Sequence, residues 1–256
     1  MNSPTGTWHY GLIARWWAEF NVAEPHELAF FRTAIQRFGE PVLDLGCGTG
    51  RILLPLLAEG FDVDGADVSP DMIAEARRLA EARGLEPRLA VQPMQELAPD
   101  RSYRTIYACG AFGIGTTPDQ DRETLRRVHA ALESGGAFLI TDHELPRPGR
   151  QPRDWPERGE RRRLADGDEI ELVGRLAAVE GAPQRLTREI RARLWRNGEL
   201  RTEESGRLTE TDYSVAELEQ MLREAGFDDL RVTANYTDRD PTADDEMVSL
   251  VARKRP

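Results

Sequence analysis

Short apolar runs alternate with longer amphipathic stretches through residues 39–145, and the alternation predicts strands and helices in turn. Residues 41–45 are apolar apart from Asp44, the pattern of a first strand buried on both faces. Residues 51–60 predict a helix closed by Gly60, provided that Pro55 falls in its first turn. Residues 61–67 predict a second strand ending at Asp67. Ser69-Pro70-Asp71 then offers an N-cap and a proline at the first helical position, opening a helix to about Arg83. Residues 89–92 and 103–109 predict the third and fourth strands. Thr117-Pro118-Asp119-Gln120 reads as a capping box whose helix runs to about Leu132, and residues 137–142 predict a fifth strand. Repeated alternation of this kind implies a parallel sheet with helices on both faces and a ligand site at the strand C-terminal ends.

The flanks differ. Residues 7–38 predict a helical cap in which Trp8, Tyr10, Trp16, Trp17 and Phe20 concentrate aromatic area, followed by an amphipathic helix over 27–37 with Leu28, Phe31 and Ile35 on one face. Residues 145–163 are rich in proline, glycine and arginine and read as a lid or a loop, with Arg161-Arg162-Arg163 a solvated charge run or, as the alternative, a holder of an acidic acceptor. From 169 to 209 apolar and polar residues alternate around Asn197-Gly198, a strong hairpin signal, so this stretch predicts an antiparallel insertion of about three strands. Its length suggests a roof over the site or a partner surface, self-association included. Ser214 and Glu217 form another capping box for a helix closed by Gly226, and residues 230–236 and 246–252 predict a terminal strand pair. The expected organisation is a cap over 1–38, a core over 39–145, a loop and β insertion over 146–211, and a closing helix and strand pair over 212–256.

Composition narrows the function classes. The 256 residues carry a formal charge of −11, with 31% charged and 39% hydrophobic residues. The negative balance disfavours nucleic acid, whose phosphates are usually met by a basic stripe. No apolar run approaches the length needed to cross a bilayer, and residues 1–7 lack a leader's basic start and apolar core, so a cytoplasmic protein is expected. Cys47 and Cys109 fall in predicted buried segments and read as inert thiols, and no Cys/His cluster has metal-ligand spacing, so no metal is expected. Lys254 is the only lysine; the basic residues are otherwise arginine.

The richest chemistry lies in Asp44-Leu45-Gly46-Cys47-Gly48-Thr49-Gly50. Alternate glycines let the chain turn sharply and let a ligand lie against bare backbone. A dinucleotide loop is spaced G-x-G-x-x-G and presents amides to a pyrophosphate; here the spacing is G-x-G-x-G, with a carboxylate two residues ahead. Asp44 would repel a pyrophosphate but receive an ammonium. Asp67 lies 23 residues further on, near the offset of a ribose-hydroxyl acceptor. The ligand therefore reads as a nucleoside with a cationic amino-acid tail.

In these residues the chain resembles the class I S-adenosylmethionine-dependent methyltransferases, whose glycine motif is matched by residues 44–50 and whose ribose-binding acid is matched by Asp67. The resemblance implies an α/β fold: a doubly wound, seven-stranded, mostly parallel sheet of Rossmann-like type, its last strand antiparallel, with an N-terminal helical cap and an antiparallel β insertion after strand 5. It also implies S-adenosyl-L-methionine as cofactor and S-adenosyl-L-homocysteine as product. By the same likeness, Asp44 meets the ammonium, backbone at Gly46, Cys47, Gly48 and Gly50 passes beneath the methionine moiety, Asp67 accepts the ribose hydroxyls and Val68 packs on adenine. Where the family often places an acid for the adenine amino group, this chain has Pro93-Met94, which leaves Met94 to pack on the ring and Gln92 or Gln95 to supply a polar contact. Cys109 and the residues after it should face the methionine half.

For the acceptor, Asp142-His143-Glu144 leaves the fifth strand at the rim. His143 is the candidate proton acceptor, Glu144 its orienting partner or a receiver of a cationic amine. Tyr10, beside His9 and Arg15, is the candidate to close over cofactor and acceptor. No Asn/Asp-Pro-Pro-aromatic motif of nucleic-acid amine methyltransferases follows the fourth strand, so the acceptor is expected to be a small metabolite methylated on nitrogen or oxygen. The placement of the insertion looks like that of amino-sugar N,N-dimethyltransferases and glycine/sarcosine-type N-methyltransferases. Two alternatives stand beside this reading: a nicotinamide-dependent oxidoreductase, against which the glycine spacing speaks, and a non-catalytic S-adenosylmethionine-binding protein.

Overall fold

In the computed structural model, which describes residues 6–255, the first strand β1 (Val42–Leu45) is buried along its whole length. The stretch 1–7 read for a leader lies mostly outside the described residues. β1 pairs in parallel with β2 (Val63–Asp67) on one side and β4 (Tyr103–Cys109) on the other. With β3 (Leu89–Val91), β5 (Leu132–Glu144), β10 (Asp228–Ala234) and β11 (Met247–Arg253) they form a seven-stranded sheet ordered β10-β11-β5-β4-β1-β2-β3, in which β11 alone runs antiparallel to its neighbours. This is the doubly wound Rossmann-like sheet expected from the sequence.

The helices follow their local signals. α3 (Leu53–Ala58) begins at Leu53, which puts Pro55 inside the first turn, where its missing N–H costs nothing. α4 (Pro70–Glu81) starts from Ser69, whose hydroxyl accepts from Met72 N at 3.2 Å. α5 (Pro118–Ala131) and α6 (Val215–Glu224) both carry complete capping boxes, at Thr117/Gln120 and Ser214/Glu217. Lys254 adds a C-terminal cap to α5, its ammonium donating to the carbonyls of His129 (2.8 Å) and Leu132 (2.7 Å). Apolar side chains fill both sides of the sheet, one cluster around Phe138, Phe227 and Tyr213, the other around Phe31, Leu53 and Tyr107.

Two helices form the cap: α1 (Gly11–Phe20) and α2 (Pro25–Phe38). After β5 comes a second, antiparallel sheet, β6-β7-β8-β9, spanning β6 (Glu160–Arg163), β7 (Glu169–Glu180), β8 (Gln184–Arg196) and β9 (Glu199–Asp212). Asn197 and Gly198 make the β8–β9 turn with φ of 52° and 80°, as the hairpin signal requires.

Two expectations need correction. The three strands expected over 169–209 are present, but a fourth, β6, joins them, because Arg161–Arg163, expected in a loop, pair with β7 through residues 169–171. Such a charged run carries no apolar alternation. Its place comes from a neighbour strand and from aromatic rings: the Arg161 guanidinium sits 4.4 Å from the Trp195 ring centroid, and Arg162 sits 5.2 Å from Trp16 and 5.1 Å from Phe20. Charge along this exposed edge also works against strand pairing with a second copy. The second correction is at β5, which begins at Leu132 instead of residue 137 because Leu132 already pairs with Tyr103, with an irregularity between that pair and Thr105–Ala137.

Candidate active site

The C-terminal tips of β1, β2, β4 and β5 deliver Asp44, Asp67, Cys109 and Asp142 to the floor of one cavity of about 560 Å³. The glycine loop crosses this floor. Gly46 N and Cys47 N both donate to Ala66 O (2.7 and 3.0 Å), which folds the loop back over β2. Gly46 has φ of 81°, and a Cβ there would lie 2.6 Å from both the Ala111 Cβ and the Met94 Cε. At Gly48 (φ 53°) the opposite holds: a Cβ would meet nothing within 4 Å, so open space lies directly above bare backbone.

Asp67 is set by that loop. Its Oδ2 accepts from Gly48 N and its Oδ1 from Ser69 N, each at 2.8 Å. Burial raises its pKa, and the two amides partly offset the rise. Asp44 is nearly inaccessible, and burial pushes its carboxyl up to about 7, with the Tyr107 hydroxyl and Arg51 pulling the other way. A buried carboxylate lacking a close cation is unstable as an anion. Asp44 therefore fits a ligand that brings a positive charge, and Asp67 offers its remaining lone pairs to hydroxyls.

Arg51, the first residue after the glycine loop, also lines the cavity and is its one arginine or lysine among the described residues. Its guanidinium donates to Glu27 Oε1 (2.5 Å), Cys109 Sγ (3.0 Å) and Asp142 Oδ2 (3.4 Å). Asp142 has φ of 51° and receives Asn235 Nδ2 (2.5 Å) and the Tyr236 hydroxyl (2.7 Å), which fix its carboxylate at the β5 tip. Burial pushes the Cys109 thiol up to about 12, so it is protonated and unreactive; Cys47 is likewise buried, and both thiols are free.

The roof comes from the cap. Thr7, His9, Trp17 and Asn21 line the cavity from above. His9 packs edge-on against Trp17 with centroids 5.5 Å apart, and its Nδ1 lies 2.5 Å from Thr7 Oγ1. Burial lowers its pKa to about 4, so the ring is neutral.

Of the cofactor residues expected from the sequence, Asp44, Gly46, Cys47, Gly48, Asp67, Val68, Met94, Gln95 and Cys109 all line this cavity. Gly50 stands behind the loop, its amide closing the turn on Cys47 O at 2.9 Å, and Gln92 is off the lining, its amide held by Asp67 O at 2.8 Å. The acceptor residues fall elsewhere. Side chains alternate along β5, so Asp142 faces the cavity and His143 the other side, where its Nε2 meets Tyr213 O at 2.8 Å and burial keeps the ring neutral. Glu144 is held by Arg150 (2.5 Å), Arg147 (3.0 Å) and Arg188 (3.4 Å), away from the cavity. Tyr10 is the N-cap residue of α1 and does not line the cavity; its neighbour His9 does. Arg15 pairs with Asp166 of the insertion at 2.5 Å. Arg51 and Asp142 were legible as site residues only through their positions, one directly after the glycine loop and one of the right parity on β5.

Residues 42–136 match the family model described as a methyltransferase domain. A protein of Geobacillus sp. (strain WCH70) named as a methyltransferase is 27% identical over 96% of this chain and 99% of its own length. Among solved structures, an S-adenosylmethionine-dependent methyltransferase from Clostridium acetobutylicum superposes with a TM-score of 0.75 at 18% identity, covering 95% of this chain and 98% of the other. The S-adenosylmethionine-bound amino pentose methyltransferase CalS10 of Micromonospora echinaspora gives 0.68 at 20% identity, covering 94% and 95%. The matched domain, the relative and the solved neighbours together support a class I S-adenosylmethionine-dependent methyltransferase. Its cofactor is S-adenosylmethionine, and the nicotinamide alternative is not favoured.

Proposed function

We propose that this enzyme transfers the methyl group of S-adenosylmethionine to a nitrogen or oxygen atom of a small molecule held under the cap. The observation that carries the reading is the pairing, in one roofed cavity, of a buried carboxylate at Asp44 with the amide-held Asp67 beside open space at Gly48. When bound, the cofactor supplies a methyl group made electrophilic by its sulfonium. Asp44 would receive the ammonium, Arg51 the methionine carboxylate, Asp67 the ribose hydroxyls, and Val68 and Met94 the faces of adenine. His9, Trp17 and Asn21 would exclude water from above and hold a small acceptor beside the cofactor. A cavity of about 560 Å³ lies in the range of small-ligand sites, which agrees with a small acceptor beside the cofactor. A small acceptor also agrees with the acidic charge, and no helix among the described residues is long and apolar enough to cross a membrane.

Calorimetry with S-adenosylhomocysteine tests the corner. Asp67→Ala should weaken binding by about 10- to 100-fold, the effect of removing a charged hydrogen-bond partner, while the circular dichroism spectrum stays native. Unchanged affinity would refute the role given to Asp67.

A further inference from the structure

The first four amides of a helix have no partner within it, and the chain at the start of α1 supplies only half of what they need. Counting from the N-cap, Tyr10 N donates to Trp8 O at 2.7 Å and Ile13 N to the Tyr10 carbonyl at 3.0 Å. The Tyr10 side chain makes no cap hydrogen bond, and the first turn carries no acidic residue. The other two amides are satisfied from outside: Gly11 N donates to Asp71 Oδ2 of α4 at 2.7 Å, and Leu12 N to Glu204 Oε2 of β9 at 2.9 Å. Two carboxylates, one from the cofactor-binding core and one from the insertion, thus converge on the positive end of one helix. Gly11 has φ of 51°, and a Cβ on it would run into the Glu204 carboxylate, so only glycine admits this grip.

We propose that Asp71 and Glu204 form a clamp that positions the roof of the active site, and that the insertion serves methyl transfer by supplying one jaw. The clamp grips the helix that carries Trp17, directly after the segment that carries His9. Neighbouring contacts hold the same register. Ser69 Oγ donates to His9 O at 2.5 Å, and Trp8 packs so closely on β9 that a Cβ on Gly206 would lie 2.5 Å from the Trp8 Cβ. Further along, α1 is seated on the insertion by Leu12, Ile13 and Trp16 against Leu164, Ile170 and Ile190. Neither Asp71 nor Glu204 lines the cavity, so both act through α1 as positioning residues. The clamp holds the roof against the cavity, so loosening it should speed exchange of the cofactor.

This inference rests on the cavity holding the cofactor, so binding of S-adenosylhomocysteine by the unaltered protein is the control; its absence would overturn the proposed function itself. Given binding, dissociation of S-adenosylhomocysteine is followed by stopped-flow tryptophan fluorescence for Glu204→Ala, Asp71→Ala and the double variant. Each single change should speed dissociation about fivefold, the effect expected for a lost N-cap, and the double change more. Glu204→Gln keeps an acceptor oxygen and should stay within about twofold of the unaltered rate. The ligand-free melting temperature should fall by no more than about 3 °C, since the floor is untouched. Dissociation rates within about twofold in all variants would overturn the clamp, as would a large fall in melting temperature with ligand affinity lost in proportion.

Discussion

At the glycine loop, the polar contacts that shape the cofactor corner span short stretches of chain: Gly48 to Asp67 across 19 positions, Ser69 to Asp67 across two. At the roof the separations are of another order. Gly11 reaches Asp71 across 60 positions, Arg15 reaches Asp166 across 151 and Leu12 reaches Glu204 across 192. The glycine-loop corner is therefore specified by a motif that folds on itself, whereas the roof exists only once the core, the cap and the insertion have met. A site assembled this way can keep its cofactor chemistry while the roof, and with it the acceptor, is altered.

Breaking the packing under the roof should have the largest effect. Ile190→Ala opens a gap between β8 and α1 and should destabilise by about 2–5 kcal/mol. Hydrogen exchange should rise in α1 and β7–β9 and stay unchanged at β1 and β2. Equal loss of protection in both regions would abolish the distinction between them.

The floor has its own signature, which is electrostatic. Burial raises the Asp44 carboxyl from 3.8 to about 7, so the ligand-free fold prefers it protonated. The resulting penalty is absent below about pH 3.8 and is fully developed above about pH 7. A ligand ammonium reverses the preference. Affinity for S-adenosylhomocysteine should thus climb as pH rises from 5 to 7, by up to about tenfold per unit, and level off above. Asp44→Asn should flatten that slope and make the ligand-free protein more stable at pH 8; calorimetry and melting curves across this range check both signs.

The smallest effect is expected at β6. Arg162→Ala removes one exposed guanidinium from the rings of Trp16 and Phe20 and should cost about 0.5–1 kcal/mol in urea denaturation, without changing cofactor affinity.

The same contrast explains what the sequence made legible. Strand tips, caps and the glycine loop depend on neighbours within a few residues, so Asp44, Gly48 and Asp67 could be placed from spacing, and Pro55 from its position in a turn. His143 has the chemistry of a proton acceptor, but the facing of β5 is a matter of parity and favours Asp142. Arg161 to Arg163 carry no internal sign of a strand, because β7 and the rings of Trp195, Trp16 and Phe20 hold them in place. Asp71 and Glu204 have no local signal at all; each is an ordinary acid on its own element until α1 arrives.

The lone lysine carries a practical consequence. Because Lys254 is the only ε-amine and is occupied by two carbonyls at the end of α5, an acylating reagent finds a single side-chain target that is already engaged. Its labelling rate becomes a built-in reporter on whether the final strand is seated against that helix, readable by mass alone.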